Sequence, residues 1–237
     1  MAIWVGTSGY NYPEWRGSFY PEKFPTAKML PYYAERFSTV EVNYTFYRMP
    51  NAKTIARWDA ETPAGFAFTL KASRKITHDA RLKDVGENLS YFLDTARALE
   101  SKLGPILFQL PPYFRKTPDH LDRLEGVLAL LPTGLRAVFE FRHESWFGDD
   151  VYALLRSRNA ALCIADNETG TTPVVATAAF GYFRLRDEGY TTEDLRKWAG
   201  IVNRLGAGWQ DTFIYFKHEE SGIGPALAKE FQALLSA

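Results

Sequence analysis

The chain has 237 residues, of which 46% are hydrophobic and 24% are charged, and its 28 Lys and Arg residues balance its 28 Asp and Glu residues. This balance excludes a global field that would draw the protein to nucleic acid or to a membrane surface, so any preference for a charged partner must be local. The single cysteine, Cys163, excludes an intrachain disulfide and a zinc site built from several thiolates.

The start of the chain, MAIWVGTSGY, lacks the basic residues and the long apolar stretch of a signal peptide. No run of about eighteen apolar residues occurs, so the sequence predicts no contact with a membrane. We therefore expect a soluble, cytoplasmic protein. The length is typical of one α/β barrel, and residues 1–237 are expected to form a single domain.

Short runs rich in β-branched and aromatic residues alternate with helical patterns along the whole chain. The predicted strands are residues 3–8, 39–47, 66–72, 105–111, 136–143, 160–166, 180–186 and 212–218. A strand followed by a helix, repeated eight times, predicts a closed (β/α)₈ TIM barrel. An open doubly wound sheet is the alternative.

Three helices have recognisable ends. One is expected to begin at Asn88, a good N-cap, and to stop at Gly104. Another begins after Thr117, with Pro118 as its first residue, and a third begins at Thr192.

The loops that lead from a strand into a helix are long and chemically rich, which indicates that they surround the active site of the barrel. The first of them, residues 8–26, contains six aromatic residues and three prolines. We expect this segment to fold over the mouth as a lid or rim. Aromatic side chains near the rim that could stack on a sugar or base are Tyr10, Tyr12, Trp15, Trp146 and Phe147. Closing a lid over an empty core is the alternative use, and both uses predict the same sequence.

Several longer motifs resemble one known family. They are GTSGYNYPEW (6–15), GSFYP (17–21), VEVNYTFYRMP (40–50), ITH (76–78), LGPILFQLPP (103–112), EFRHESW (140–146) and FGYFRLR (180–186). Together they resemble the YecE-like family, called domain of unknown function 72, over nearly the whole chain. The resemblance implies a barrel fold and supplies no activity. The chain departs from the family pattern at Arg186 and Asp187, and again at residues 217–220.

The stretch FEFRHESWF (139–147) combines strand-like aromatic residues with charges. In a strand, Glu140 and Arg142 share one face, and Phe139 and Phe141 share the other. The same alternation in every strand collects polar side chains at the barrel mouth, namely Glu41, Asn43, Thr45, Lys71, Gln109, Glu140, Arg142, Arg184, Arg186 and Lys217. Basic groups outnumber acidic ones, which predicts a small anionic ligand. Structural ion pairs that fill the barrel are the alternative.

These positions predict an enzyme that acts on a phosphorylated or carboxylated substrate. Glu140 or Glu41 would be the acid or base, and His143 would carry or orient a proton. The predicted anion clamp consists of Lys71, Arg142, Arg184 and Lys217. The loop before the last helix adds Ser221, Gly222 and Gly224, where barrels often bind phosphate, although a tight turn would also need these glycines.

A metal is not expected. Glu41, Glu140, His143 and Asp166 could converge on one, but the sequence contains no recognised pair of ligands, and neighbouring cations compete for the carboxylates. No nucleotide-cofactor motif occurs either. Two other functions remain open. One is a nucleic-acid-processing enzyme that grips its substrate through the basic loop 73–84 and the aromatic lid, and the other is a non-catalytic binding or scaffold protein.

Overall fold

The computed structural model of the chain describes residues 2–167 and 170–235. Its strands are β1 (Ala2–Ser8), β2 (Thr39–Val42), β3 (Ala67–Lys71), β4 (Leu103–Gln109), β5 (Ala137–Glu140), β6 (Ala161–Leu162), β7 (Ile164–Asn167), β8 (Gly170–Thr171), β9 (Phe180–Leu185) and β10 (Asp211–Phe216). Neighbouring strands pair in parallel, except that β7 and β8 form a short antiparallel hairpin.

The sheet closes on itself through the segment that contains β6 and β7. β6 pairs with β5 and β7 pairs with β9, while Cys163 alone separates the two strands in the chain. The backbone N–H of Cys163 donates to the carbonyl of Phe139, 2.9 Å away. If β6 and β7 are counted as one interrupted strand, the parallel strands within the described residues number eight, and β1 pairs with β10. The predicted (β/α)₈ barrel is confirmed.

Helices follow the strands around the outside of the barrel. They are α1 (Met29–Ala34), α2 (Tyr44–Tyr47), α3 (Ala52–Ala60), α4 (Gly86–Arg97), α5 (Pro118–Leu130), α6 (Asp149–Ser157), α7 (Thr192–Gly206) and α8 (Ile223–Leu235). Shorter 3₁₀ turns cover Pro13–Trp15, Thr26–Lys28, Glu100–Lys102 and Glu144–Trp146, and a π-helical turn covers Lys75–Asp79.

Two of the three predicted helix starts are confirmed. Thr117 caps α5 by accepting from the backbone N–H of His120, and Thr191 caps α7 in a reciprocal capping box with Asp194. The start predicted at Asn88 is wrong because α4 begins two residues earlier, at Gly86.

The predicted end of that helix is also wrong, since α4 stops at Arg97 and Gly104 lies within β4. A Cβ atom at Gly104 would lie 3.0 Å from the carbonyl oxygen of Phe68. Glycine is therefore needed there for the close approach of β4 to β3, and not for a helix cap.

Buried apolar side chains form two clusters that follow the alternation of the strands. Val138 belongs to the smaller cluster and its neighbour Phe139 to the larger one, so the two residues face opposite sides of the sheet. The smaller cluster fills the inside of the barrel and includes Ala67, Leu107, Val138, Ala161, Cys163, Ala165, Phe180, Tyr182, Phe213 and Tyr215. The larger one lies between the strands and the helices. A layer of polar side chains covers the inner cluster where the strands end.

Two strands end three or more residues earlier than predicted. The strand expected over residues 39–47 ends at Val42, and the aromatic residues that follow form α2. Thr45, at the start of this helix, donates from its hydroxyl to the carbonyl of Lys71 at 2.6 Å and is buried. The strand expected over residues 136–143 ends at Glu140, so Arg142 lies in an exposed loop.

Candidate functional site

Arg184 of β9 lies at the centre of the polar layer and joins two carboxylates. Its Nε and Nη2 donate to the two oxygens of Glu41 at 3.0 and 2.9 Å, and its Nη1 donates to Glu140 Oε2 at 2.5 Å. All three side chains are buried, with 1%, 0% and 2% of the residue exposed for Arg184, Glu41 and Glu140. Because two carboxylates share one guanidinium, every charge in this triad has a partner.

Glu41 is enclosed completely. The Ser8 hydroxyl donates to its Oε1, and the Tyr182 hydroxyl donates to its Oε2 at 2.5 Å. Burial alone would raise the pKa of this carboxyl, but Arg184 and these hydrogen bonds hold the pKa below its ordinary value. A carboxylate with no exposed surface and four donors does not contact a ligand in the mouth. Glu41 therefore orients Arg184, in place of the acid or base role that the sequence predicted.

Glu140 ends a chain of hydrogen bonds that crosses three strands. The Gln109 amide donates to both oxygens of Glu140 at 2.9 and 3.0 Å, and Lys71 Nζ donates to Gln109 Oε1 at 2.7 Å. Burial opposes ionisation of Glu140, yet Arg184 and the Gln109 amide keep its pKa below the ordinary value. Glu140 is thus ionised at neutral pH.

A cavity of about 540 Å³ opens beside Glu140 at the carboxyl ends of β5, β7 and β9. Among residues 2–167 and 170–235, no carboxylate lies within 4.0 Å of a side-chain nitrogen of Arg142 or Arg186, although both arginines line the cavity. Burial and the nearby charge of Arg184 lower the pKa of Arg186. The lining comprises Pro112, Glu140, Phe141, Arg142, Glu144, Phe147, Ala165, Asn167, Gly170, Thr171, Thr172 and Arg186.

Lys71 and His78 lie close to the arginines of the mouth, and the pKa of each side chain is lowered. Burial, followed by the charge of Arg184, lowers the pKa of Lys71 to about 8, and its Nζ lies 4.3 Å from the centre of the Phe46 ring. His78 packs its ring edge-on against the same Phe46 ring. Burial and the charges of Lys71 and Arg142 lower the pKa of His78 to about 4, so its imidazole is neutral at pH 7.

Two other predicted site residues are engaged elsewhere. His143 caps the turn Glu144–Trp146. Its Nδ1 accepts a hydrogen bond from the backbone N–H of Ser145 at 3.2 Å and lies 2.9 Å from the Ser145 hydroxyl oxygen. It does not line the cavity, so the predicted proton carrier has a structural task. Lys217 forms an ion pair with Glu219 at 3.4 Å, and its charge is therefore not reserved for a ligand as the predicted clamp required.

The aromatic lid is only partly as expected. Trp15 and Trp146 are fully buried, and Trp146 donates to the carbonyl of Phe114 at 2.6 Å. These two tryptophans anchor their loops and offer no surface to a ligand, which corrects the prediction. Tyr10 and Tyr12 are partly exposed and line a separate cavity of about 260 Å³.

The backbone conformation and packing of the loop before α8 explain why its glycines are present. Ser221 and Gly222 adopt φ values of 45° and 74°, in the left-handed region. A Cβ atom at Gly222 would lie 2.2 Å from Ser18 Oγ, and one at Gly224 would lie 2.9 Å from the His218 carbonyl oxygen. Both glycines are therefore required by close packing, whether or not an anion binds.

The carboxylates considered for a metal do not converge. Asp166 accepts from the hydroxyls of Thr171 and Tyr190 at 2.5 and 2.7 Å and from Trp198 Nε1 at 3.2 Å. Within the part of the chain that the structure describes, no group of three or more His, Cys, Asp or Glu side chains is placed to hold a metal ion. In the same residues, no helix combines the length and apolar character needed to cross a membrane.

Sequence reasoning missed Ser8 and Tyr182, which donate to Glu41. A signal for Tyr182 was present, because residues 182, 184 and 186 share one face of the predicted strand. Ser8 ends β1, which pairs with β2 beside Glu41. Its contact with Glu41 could be predicted only from the register of these two strands, which the sequence does not reveal.

The fold and the charged layer at its mouth define a TIM-barrel protein with a candidate ligand cavity at the carboxyl ends of its strands. The model of the family "Protein of unknown function DUF72" matches residues 4–237, and the chain belongs to this family.

Similar proteins agree with this assignment. UPF0759 protein YunF of Bacillus subtilis is 24% identical over 274 residues, which cover 98% of this chain and 94% of YunF. UPF0759 protein YecE of Escherichia coli is 29% identical over 145 residues, covering 61% of this chain and half of YecE.

Solved structures are also similar. A DUF72 family protein from Thermotoga maritima has a TM-score of 0.86 and 25% identity, and the match covers 100% of this chain and 100% of that protein. One from Enterococcus faecalis has a TM-score of 0.83 and 19% identity, and shows the fold.

Proposed function

We propose that this protein is an enzyme that acts on a small anionic substrate, phosphorylated or carboxylated, bound in the cavity at the barrel mouth. The observation that carries the proposal is the pair Arg142 and Arg186. Both line the cavity, and neither has a carboxylate within 4.0 Å among residues 2–167 and 170–235. Guanidinium groups bind phosphate and carboxylate through paired N–H groups, so two of them facing one cavity suit an anion.

The buried triad supports a division of tasks among the cations. Arg184 is saturated by Glu41 and Glu140 and is 1% exposed, so it is a positioning residue. Arg142 and Arg186 remain to meet the ligand. Lys71, joined to the cavity wall through Gln109, adds positive potential behind them.

Glu140 is the candidate base of the reaction. It lines the cavity, and its pKa is lowered by Arg184, so it enters the reaction ionised and can accept a proton without first losing one. A general acid would need a raised pKa, whereas the pKa of Glu140 is lowered. Because the carboxylate also repels anions, its placement beside two arginines suits a substrate whose charged group and reacting carbon occupy different parts of the cavity.

Binding is tested by thermal unfolding in sodium phosphate and in sodium chloride at equal ionic strength. Phosphate should raise the melting temperature more than chloride, because a ligand that binds only the folded state stabilises it. Arg186→Gln and Arg142→Gln should each remove most of this gain. Arg158→Gln is the matched control, because Arg158 lines a different cavity at the other end of the barrel and should leave the gain intact. A gain that survives both mouth substitutions would overturn the proposal.

Catalysis needs a second measurement, because a binding protein would pass the first. Mixtures of phosphorylated and carboxylated metabolites are incubated with the protein and followed by NMR. Turnover by the wild-type protein, absent from Glu140→Gln, would support an enzyme. Binding that persists in both proteins without any turnover would instead indicate a ligand-binding protein.

A further inference from the structure

Lys71 is a half-buried lysine at the carboxyl end of β3 without a carboxylate partner. Within the described residues, no carboxylate lies within 4.0 Å of its Nζ, and the hydrogen bond it makes goes to the neutral amide oxygen of Gln109 at 2.7 Å. The orientation of that amide is fixed from its other end, because its nitrogen donates to both oxygens of Glu140. The lysine thus faces an acceptor that carries no charge.

The surroundings of Lys71 disfavour the ammonium form. Burial contributes most, followed by repulsion from Arg184, and together they lower the pKa to about 8 against an ordinary lysine value of 10.5. At pH 7 roughly one tenth of such amines are neutral, about three hundred times the fraction for an ordinary lysine. A neutral amine is the nucleophilic form, and amines beside another cation in a partly desolvated site are the ones that attack carbonyl groups.

The lysine is also connected to the cavity. Its contact with Gln109 and the contact of Gln109 with Glu140 place it one side chain away from a residue that lines the cavity containing Arg142 and Arg186. The Lys71 Nζ lies over the Phe46 ring, 4.3 Å from its centre, and the hydroxyl of Thr45 donates to the Lys71 backbone carbonyl, so both the head and the backbone of the residue are held in place. A structural lysine in a barrel would be expected to pair with an acid, as Lys102 does with Asp59 at 2.8 Å.

We infer that Lys71 is a nucleophilic lysine that forms an imine with an aldehyde or ketone carbonyl of the anionic substrate. In the step, the Nζ lone pair attacks the carbonyl carbon, a C=N double bond replaces the C=O double bond, and the oxygen leaves as water with the two amine hydrogens. No oxidant or reductant takes part. The inference rests on the proposed function for the anionic part of the substrate, and it narrows the substrate class to keto acids, aldehyde acids and phosphorylated carbonyl compounds.

The test is reductive trapping at pH 7.5. The whole protein is incubated with cyanoborohydride and either glyoxylate, an anionic aldehyde, or propionaldehyde, a neutral one, and the modified lysines are identified by peptide mass spectrometry. We expect Lys71 to be modified first by both probes, ahead of Lys75, an exposed lysine nearby in the chain. Labelling of Lys71 should rise to half its maximum near pH 8. Modification of Lys75 and other exposed lysines with Lys71 untouched would overturn the inference.

Two variants separate this inference from the proposed function. Arg186→Gln should slow trapping by glyoxylate several-fold more than it slows trapping by propionaldehyde. If Lys71 is labelled preferentially but glyoxylate has no advantage over propionaldehyde in the wild-type protein, the lysine is nucleophilic and the anionic substrate is wrong. If phosphate stabilises the protein as proposed but neither probe labels Lys71, the inference is wrong and the anion site stands.

The control variant is Lys71→Met, which must remove the labelled peptide. If that variant does not fold, the peptide map of the wild-type protein identifies the labelled residue independently.

Discussion

Arg184 holds Glu41 through two parallel hydrogen bonds, from Nε to Oε2 at 3.0 Å and from Nη2 to Oε1 at 2.9 Å. The paired geometry fixes the guanidinium plane in the barrel interior, and its third nitrogen is directed to Glu140. The charged face of the strand that ends at Glu140 is therefore explained by one arginine from β9, which is separated from β5 in the closed sheet by the interrupted strand β6 and β7. Because Arg184 is occupied by this buried network, it positions Glu41 and Glu140, and the proposed contact with a ligand is left to Arg142 and Arg186 at the cavity.

The first prediction compares the two carboxylates. Glu41→Gln should destabilise the protein by roughly 3–5 kcal/mol, because the new amide N–H₂ would face the N–H groups of Arg184 in a fully buried site. Glu140→Gln should cost only about 1–2 kcal/mol, since Glu140 borders the cavity and keeps an oxygen for Arg184. Urea unfolding at pH 7 measures both values. An equal or larger loss for Glu140→Gln would mean that Glu140 is chiefly structural.

The second prediction concerns the pH dependence that Lys71 imposes. Its folded pKa of about 8 lies below the ordinary value of 10.5, so between these pH values the unfolded chain binds a proton that the folded protein does not. Stability therefore rises with pH across this window, and the ammonium form weakens the fold below pH 8. Relative to wild type, Lys71→Met should flatten the rise by about 1–2 kcal/mol, with some of the full shift lost to solvent screening. Identical slopes for the two proteins in urea unfolding between pH 7.5 and 10 would refute the lowered pKa.

The third prediction uses His78 as a reporter of the cavity cations. Burial, Lys71 and Arg142 lower its pKa to about 4, so acid weakens the fold as the pH falls below about 6.5, where the unfolded imidazole gains a proton. Phosphate bound beside Arg142 should raise the pKa of His78, and Arg142→Gln should raise it without phosphate. An NMR titration of the His78 ring follows both changes. Arg158→Gln is the control and should leave the His78 titration unaltered.

The fourth prediction tests the closure of the barrel at Cys163. This thiol is 1% exposed between β6 and β7, and burial raises its pKa well above the ordinary value. A thiol reagent should therefore react with it only after global unfolding, with a rate that follows the concentration of urea. Rapid reaction in buffer alone would show that the sheet opens at this point.

The barrel fold could be predicted from the sequence because it depends on apolar periodicity and loop lengths, which are local properties and can be read along the whole chain. Alternation placed Glu140 and Arg184 on the inner faces of their strands, and both lie there in the structure. Alternation does not account for Arg142 and Asn43, because both residues lie beyond the ends of their strands. Both nevertheless lie at the mouth as predicted, since Arg142 lines the cavity and Asn43 donates to Ser8 Oγ at 2.8 Å. Burial of Trp15 and Trp146 could not be predicted either, since it depends on contacts between loops that are distant in the sequence.

The most direct test of the account is a crystal structure of the protein grown with selenate, an anion whose selenium is located by its anomalous signal. We expect a selenate ion in the cavity of about 540 Å³, within hydrogen-bonding distance of the guanidinium groups of Arg142 and Arg186. Arg184 should remain bound to Glu41 and Glu140 in that crystal. A cavity without selenate at saturating concentration, or selenate bound only at the turn of Ser221 and Gly222, would contradict the account.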